Sequence, residues 1–360
     1  MSISPKVLRA AAGCRFPISR PLRCAYTANH ISTYDHASLS TRSMHSSQPR
    51  PRSKSDNPEA SEKAKVAHAD KPPVSRKDNI GKKKFADFEL AGKVFLVTGG
   101  AQGLGLALAE SLVEAGGKGS TRTNAPLSVY CLDRAETPSE EWAEALQRVV
   151  PEWGGSLNYV QQDVGDTANL NECISRIADE NQRLDGVVAA AAIQQVTEAV
   201  EYTEEDTTRM LAVNYTGVLM TATAAARQMF KYKCRGSIIF IGSMSGFVAN
   251  KGLLSCVYNS SKAAVIQLSR NLAMEWSPIK EDGTGGIRVN CICPGHILTP
   301  MVLKNFEEVP GLREKWEREN MMGRLADTSE FKGAVLYLAS SASSFMTGNH
   351  LVIDGGHTAW

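Results

Sequence analysis

The 360-residue chain has no run of about 18 or more apolar residues, so it offers no candidate for a membrane-spanning helix. None of its eight cysteines stands in C-x-x-C spacing. The thiols read as reduced and structural, with Cys291 and Cys293 expected on one face of a strand. Histidine is scarce: after residue 84 only His296, His350 and His357 occur, and His350 and His357 show no clustering with acids or thiols, so no metal site is expected. Acid is almost absent from the first 54 residues, where Asp35 alone faces nine Lys and Arg. The remainder carries 31 basic and 37 acidic residues. A net acidic body gives no electrostatic case for nucleic acid as a partner.

What is present is 42% hydrophobic content, enough for a buried core. Residues 1–54 are rich in Arg, Ser and Ala, and "SPKVLRAAAGCRF" spaces its cations as an amphipathic helix does. This pattern predicts a mitochondrial transit peptide, the alternative being a disordered basic tail on a cytoplasmic protein. Residues 55–84, with "KPPVSRK" and "GKKK", read as linker. From residue 85 to 360 short apolar runs alternate with segments of helical period, the signal of a parallel sheet wrapped by helices. The runs are Val94–Thr98, Ser128–Leu132, Tyr159–Gln162, Val187–Ala192, Ser237–Ser243, Arg288–Cys293 and His350–Ile353. Leu104, Leu108 and Leu112 mark one intervening helix, and Leu170, Cys173, Ile174 and Ile177 another. The expected fold is α/β, a single Rossmann-type, doubly wound parallel sheet of seven strands.

"TGGAQGLG" follows the first run directly and places Gly99, Gly103 and Gly105 ahead of an apolar helix. Glycines there let the backbone approach a pyrophosphate at a helix N-terminus, so Gln102 and Leu104 of the same turn join the expected cofactor site. The second run ends in Asp133, whose carboxylate suits the two hydroxyls of an adenosine ribose and repels a 2′-phosphate. Asp133 lies 28 residues beyond Gly105, against the usual ~20. The neighbouring Arg134 is able to accommodate a phosphate. The charge argument favours NAD, with NADP possible. Asp163 and Val164, after the third run, would bracket the adenine.

These segments, together with "VNYTG", "IGSMSG", "YNSSK", "RVNCICPGHILTP" and "VIDGG" in that order, resemble the short-chain dehydrogenase/reductase family from about Phe85 to Trp360. The resemblance implies that Tyr258 is the acid/base and that Lys262 lowers its pKa and holds the nicotinamide ribose. It further implies that Ser243 binds the substrate oxygen and that Asn214 holds a water linking Lys262 to solvent. Pro294, Gly295, Ile297 and Thr299 resemble the segment that meets the nicotinamide carboxamide. Ser243 lies 15 residues before Tyr258 and directly ends its apolar run; Ser245, 13 residues before, is the alternative. One departure is "AAAA" at 189–192, where the family writes N-N-A-G, so that Ala192 brings a methyl toward the cofactor.

Within the family the chain looks most similar to fungal polyol dehydrogenases of the arabinitol, mannitol and xylulose type. That implies interconversion of a secondary alcohol and a ketone, with a sugar alcohol and its ketose as substrates. Gln194, Gln195, Ser245, Asn250 and Ser255 would supply a polar neighbourhood for such a ligand. The alternatives are a ketoreductase of acyl or secondary-metabolite substrates, or a nucleotide-binding scaffold with weakened catalysis. The family resemblance also implies a homo-oligomer, a tetramer, with Leu219, Met220, Ile266 and Leu268 as apolar surplus.

Overall fold

The apolar run before the glycine turn forms a strand, β1 (Val94–Thr98), and all five of its residues are buried. Its side chains alternate between two cores: Val94 and Leu96 face one, Phe95 and Val97 the other. A strand apolar on both sides belongs in the middle of a sheet covered on both faces. That is its position in the computed structural model, which describes residues 86–116 and 126–360. The sheet has seven parallel strands in the order β3-β2-β1-β4-β5-β6-β7. The others are β2 (Leu127–Asp133), β3 (Gly155–Gln161), β4 (Gly186–Ala189), β5 (Ser237–Ile241), β6 (Arg288–Pro294) and β7 (His350–Ile353). The expected seven-stranded, doubly wound fold is therefore observed. The transit peptide and linker expected over 1–84 lie outside the described residues.

Helices α3 (Thr167–Asn181), α5 (Val218–Lys231) and α6 (Cys256–Trp276) cover one face, and α1 (Gly103–Glu114), α2 (Glu140–Arg148) and α9 (Lys332–Ala339) the other. The periodic residues Leu108, Leu112, Leu170, Cys173, Ile174 and Ile177 are all buried in these two cores. A third, smaller cluster joins Leu253, Leu312, Trp316 and Leu325 under α7 (Pro300–Glu308) and α8 (Leu312–Arg318).

Two strand boundaries differ from expectation by three residues or more. β3 begins at Gly155, four residues before Tyr159, because it is an edge strand paired only with β2 and tolerates Ser156 and Asn158 among its apolar positions. β4 stops at Ala189, because the Ala191 amide donates to the Thr98 hydroxyl (3.3 Å) and the chain leaves the ladder to cross the glycine turn. Ile266, expected as surplus surface, is buried in the core between α6 and the sheet.

Candidate active site

β1 and β4 are neighbours although two strands and three α-helices lie between them in sequence, so a crevice opens where the winding of the sheet reverses. A cavity of about 560 Å³ lies at these carboxyl ends, a size typical of ligand sites. Its backbone wall is the glycine turn. Gly99 and Gly103 have φ of +63° and +55°, a region that side chains rarely enter. A Cβ on Gly99 would lie 2.8 Å from Ala191 Cα, and one on Gly105 would lie 2.0 Å from Gly99 O. Only bare backbone fits, and α1 starts there with its first amides facing the turn. The close backbone approach thus falls on Ala191, while Ala192 lines the cavity.

Fifteen of the sixteen expected site residues line this one cavity. Gly99, Gln102, Gly103, Leu104 and Gly105 form the turn, and Asp133 closes β2 with its carboxylate accepting from the Ala101 amide (3.4 Å). Asp163 and Val164 follow β3, and Pro294, Gly295, Ile297 and Thr299 run from β6 into α7. Ser243, Tyr258 and Lys262 complete the lining. Arg134 and Arg209 also line it. Arg209, on α4 (Glu204–Leu211), was missed because no motif marks it.

Asn214 is the exception. It sits in a π-helical segment, Ala212–Gly217, wholly buried, with both ends of its carboxamide on the backbone of Ile193 (2.9 Å each). Its amide also donates to Ser261 Oγ (3.2 Å). Asn214 therefore pins the loop after β4 to α6 behind the cavity wall and acts as a positioning residue.

The two serines have separate places. Ser243 lines the cavity beside Tyr258, whose phenol it pulls toward a lower pKa, and its Oγ donates to Ser245 Oγ (3.0 Å). Ser245 is backed by Asn250 at 2.8 and 3.0 Å and does not line the cavity. Ser243 is thus the residue at the reacting centre.

Burial dominates the electrostatics of this centre. It pushes the Tyr258 phenol up to about 12, against the Ser243 hydrogen bond that pulls it down, and pushes the Lys262 ammonium down to about 8. The Lys262 ammonium donates to the Ile241 carbonyl (2.8 Å), and desolvation of the phenolate is the largest influence on Tyr258. Beneath Lys262 the thiols of Cys291 and Cys293 lie 3.7 Å apart, on one face as expected.

The polar neighbourhood expected for substrate is used internally. Asn305 donates to Gln194 (2.9 Å), Arg209 to Gln195 (2.6 Å) and Ser255 to Asn259 (3.0 Å), and none of Gln194, Gln195, Ser245, Asn250 or Ser255 lines the cavity. Ile193, Met301 and Val302 do. The fold also brings together histidines far apart in sequence: His296 stacks on Trp316 at 3.5 Å and meets His357 at 5.2 Å. No group of three or more His, Cys, Asp or Glu among the described residues is arranged to hold a metal ion.

Comparison with known proteins agrees with this geometry. The family model described as enoyl-(acyl carrier protein) reductase matches residues 99–358. A short chain dehydrogenase/reductase of Aspergillus versicolor is 34% identical, over 76% of this chain and 89% of its own. The chain belongs to the short-chain dehydrogenase/reductase family. Its chemistry is the NAD(P)-dependent oxidoreduction of an alcohol and a ketone. The ribulose-forming D-arabinitol 2-dehydrogenase of Candida albicans is 33% identical, over 76% of this chain and 95% of its own. Among solved structures, a gluconate 5-dehydrogenase from Burkholderia cenocepacia, in complex with NADP and tartrate, superposes with a TM-score of 0.65 at 28% identity, covering 76% of this chain and 98% of that one. In this family member the bare glycine turn and the open crevice fit a dinucleotide laid from Asp133 to Ser243.

Proposed function

We propose that this dehydrogenase/reductase interconverts a polyol and its ketose, of which D-arabinitol and ribulose are the model pair, and that it prefers NAD. The observation that carries the chemistry is that Ser243, Tyr258 and Lys262 line the same cavity as the glycine turn. The bound dinucleotide supplies or accepts the hydride. Tyr258 gives its proton to the substrate oxygen when a ketone is reduced and takes one when an alcohol is oxidised. Ser243 donates to that same oxygen and fixes its distance from the phenol. At neutral pH the raised phenol holds its proton, the state that ketone reduction requires.

The polyol reading is supported by the arabinitol relative, which this chain matches over nearly that protein's whole length. The NAD preference is supported by Asp133 at the end of β2. A second reading, reduction of a less polar ketone, is favoured by Ile193, Met301 and Val302 in the lining and by the internal pairing of the glutamines. Initial rates with NAD and NADP over polyols, ketoses and aliphatic or β-keto ketones decide. A ketose turned over with NAD at least about tenfold better than any apolar ketone supports the first reading. The reverse order replaces it with the second, and cofactor binding without turnover of any of them would mark a scaffold.

The basic stretch of residues 1–54, with Asp35 its one acid, supports a mitochondrial address. A full-length fluorescent fusion that stays in the cytosol counts against it. Self-association is supported by the outer edge of β7, which pairs on one side only, and by exposed Met274, Phe345, Val352 and Trp360. A tetramer is the state proposed, and a monomeric mass by light scattering would refute it.

A further inference from the structure

The α2 helix opens with Ser139, Glu140 and Glu141, and its place against the glycine turn is over-determined. Ser139 caps it by accepting from the Trp142 amide (3.2 Å), and the same hydroxyl donates to the Ala101 carbonyl of the turn (2.8 Å). Trp142 is 3% exposed and stands edge-on to Tyr159 at 5.6 Å, which locks the helix to the sheet. The result is that Glu141 sets both carboxylate oxygens 3.1 Å from the Gly103 amide, at the first residue of α1. The α1 helix has no side-chain cap of its own at Gln102. Two amides of the turn therefore face carboxylates from the β2–α2 side: Ala101 faces Asp133 and Gly103 faces Glu141.

We infer that Glu141 is a second carboxylate, beside Asp133, that excludes a 2′-phosphorylated dinucleotide from this site. The inference rests on the dinucleotide reading above. A 2′-phosphate on the adenosine ribose at Asp133 would bring its negative charge toward the turn, where Asp133 already faces the Ala101 amide and Glu141 the Gly103 amide. Arg134, which lines the same cavity, is the only cation among the lining residues contributed by the β2–α2 segment, and one guanidinium does not offset two carboxylates. NAD, with two neutral hydroxyls at that ribose, meets no such repulsion. Charge, not packing, is the discriminating property, since Glu141 is exposed on its outer side.

The test is calorimetric titration of the full chain and of Glu141→Gln with NAD and with NADP. Gln keeps an oxygen acceptor for the Gly103 amide and removes only the charge. The expected result is NADP bound about five- to tenfold more tightly, with NAD changed less than about twofold. An equal change for both dinucleotides would place the effect on their shared pyrophosphate and overturn the inference, as would no change for either. Should the variant not fold, the wild type decides: the ratio of NADP to NAD dissociation constants must fall as salt rises from about 0.01 to 0.5 M, because screening weakens the repulsion. A ratio independent of salt overturns the inference. A wild type that binds neither NAD nor NADP removes the dinucleotide reading itself, a result distinct from these.

Discussion

Lys262 hands its ammonium to the carbonyl of Ile241 at 2.8 Å while standing 5.6 Å from the centre of the Tyr258 ring. The two residues share one face of α6, and the lysine is tied to the end of β5. Tyr258 and Ser243 are thus the proposed proton-transfer pair, while Lys262 holds α6 against β5 and keeps its proposed place at the nicotinamide ribose.

Tyr258→Phe keeps the ring and removes the transferable proton. Turnover falls by ~10²-fold or more while dinucleotide binding survives. In the wild type the phenol, raised to about 12, is protonated at neutral pH. Ketone reduction is then flat between about pH 6 and 9, and alcohol oxidation, which needs the phenolate, climbs with pH over that range. Steady-state kcat/KM in both directions checks the pair, and an oxidation rate independent of pH would remove Tyr258 as the base.

The two serines are separable by the same measurement. Ser243 lines the cavity with Tyr258, whereas Ser245 does not and connects to it only through Ser243 Oγ. Ser243→Ala lowers kcat by ~10²-fold, the size of a lost hydrogen bond to a developing charge. Ser245→Ala lowers it by less than about tenfold. Equal losses would mean that the Ser243–Ser245–Asn250 chain acts as one unit.

The fold and the cofactor wall were legible because they depend on local pattern. Apolar runs, a glycine turn and a helical i, i+4 pair are written along the chain, and Gly99, Asp133, Ser243 and Tyr258 meet where the winding of a parallel sheet requires. What depends on pairing across space was not legible. Gln194 looks like a ligand contact until Asn305 is seen to occupy it, and Asn214 looks like a water site until Ile193 takes both ends of its amide. Glu141 reads only as an acid in the first turn of a helix, since nothing in the sequence tells that a second helix begins 3.1 Å away. The start of β3 was hidden for a different reason, as an edge strand need not be apolar throughout.

Asp133→Ser removes the carboxylate at the Ala101 amide. NAD binds more weakly and NADP more tightly, narrowing the preference by roughly 1 to 3 kcal/mol. Titration of both dinucleotides measures it directly. A wild type that already prefers NADP would show that Arg134 outweighs the acid and would cancel this prediction.

Lys262 also sets a conflict between stability and activity. It is 3% exposed, and burial lowers its pKa from 10.5 to about 8. A lowered lysine pKa means that the fold disfavours the charged form. The cost is therefore complete below about pH 8, shrinks as pH rises, and vanishes above 10.5, where the unfolded chain has also lost the proton. Lys262→Met fills the same volume with no charge to desolvate, although it forfeits the bond to Ile241. At pH 7 the variant is more stable by about 1–3 kcal/mol and turns over at least ~10²-fold more slowly. Raising the pH toward 10.5 closes the stability gap and then reverses it, because the neutral amine keeps its hydrogen bond and the thioether has none. Denaturant melts of both proteins at several pH values, read beside turnover, test the whole sequence of signs. A variant less stable than the wild type at pH 7 would mean that the Ile241 bond outweighs the buried charge.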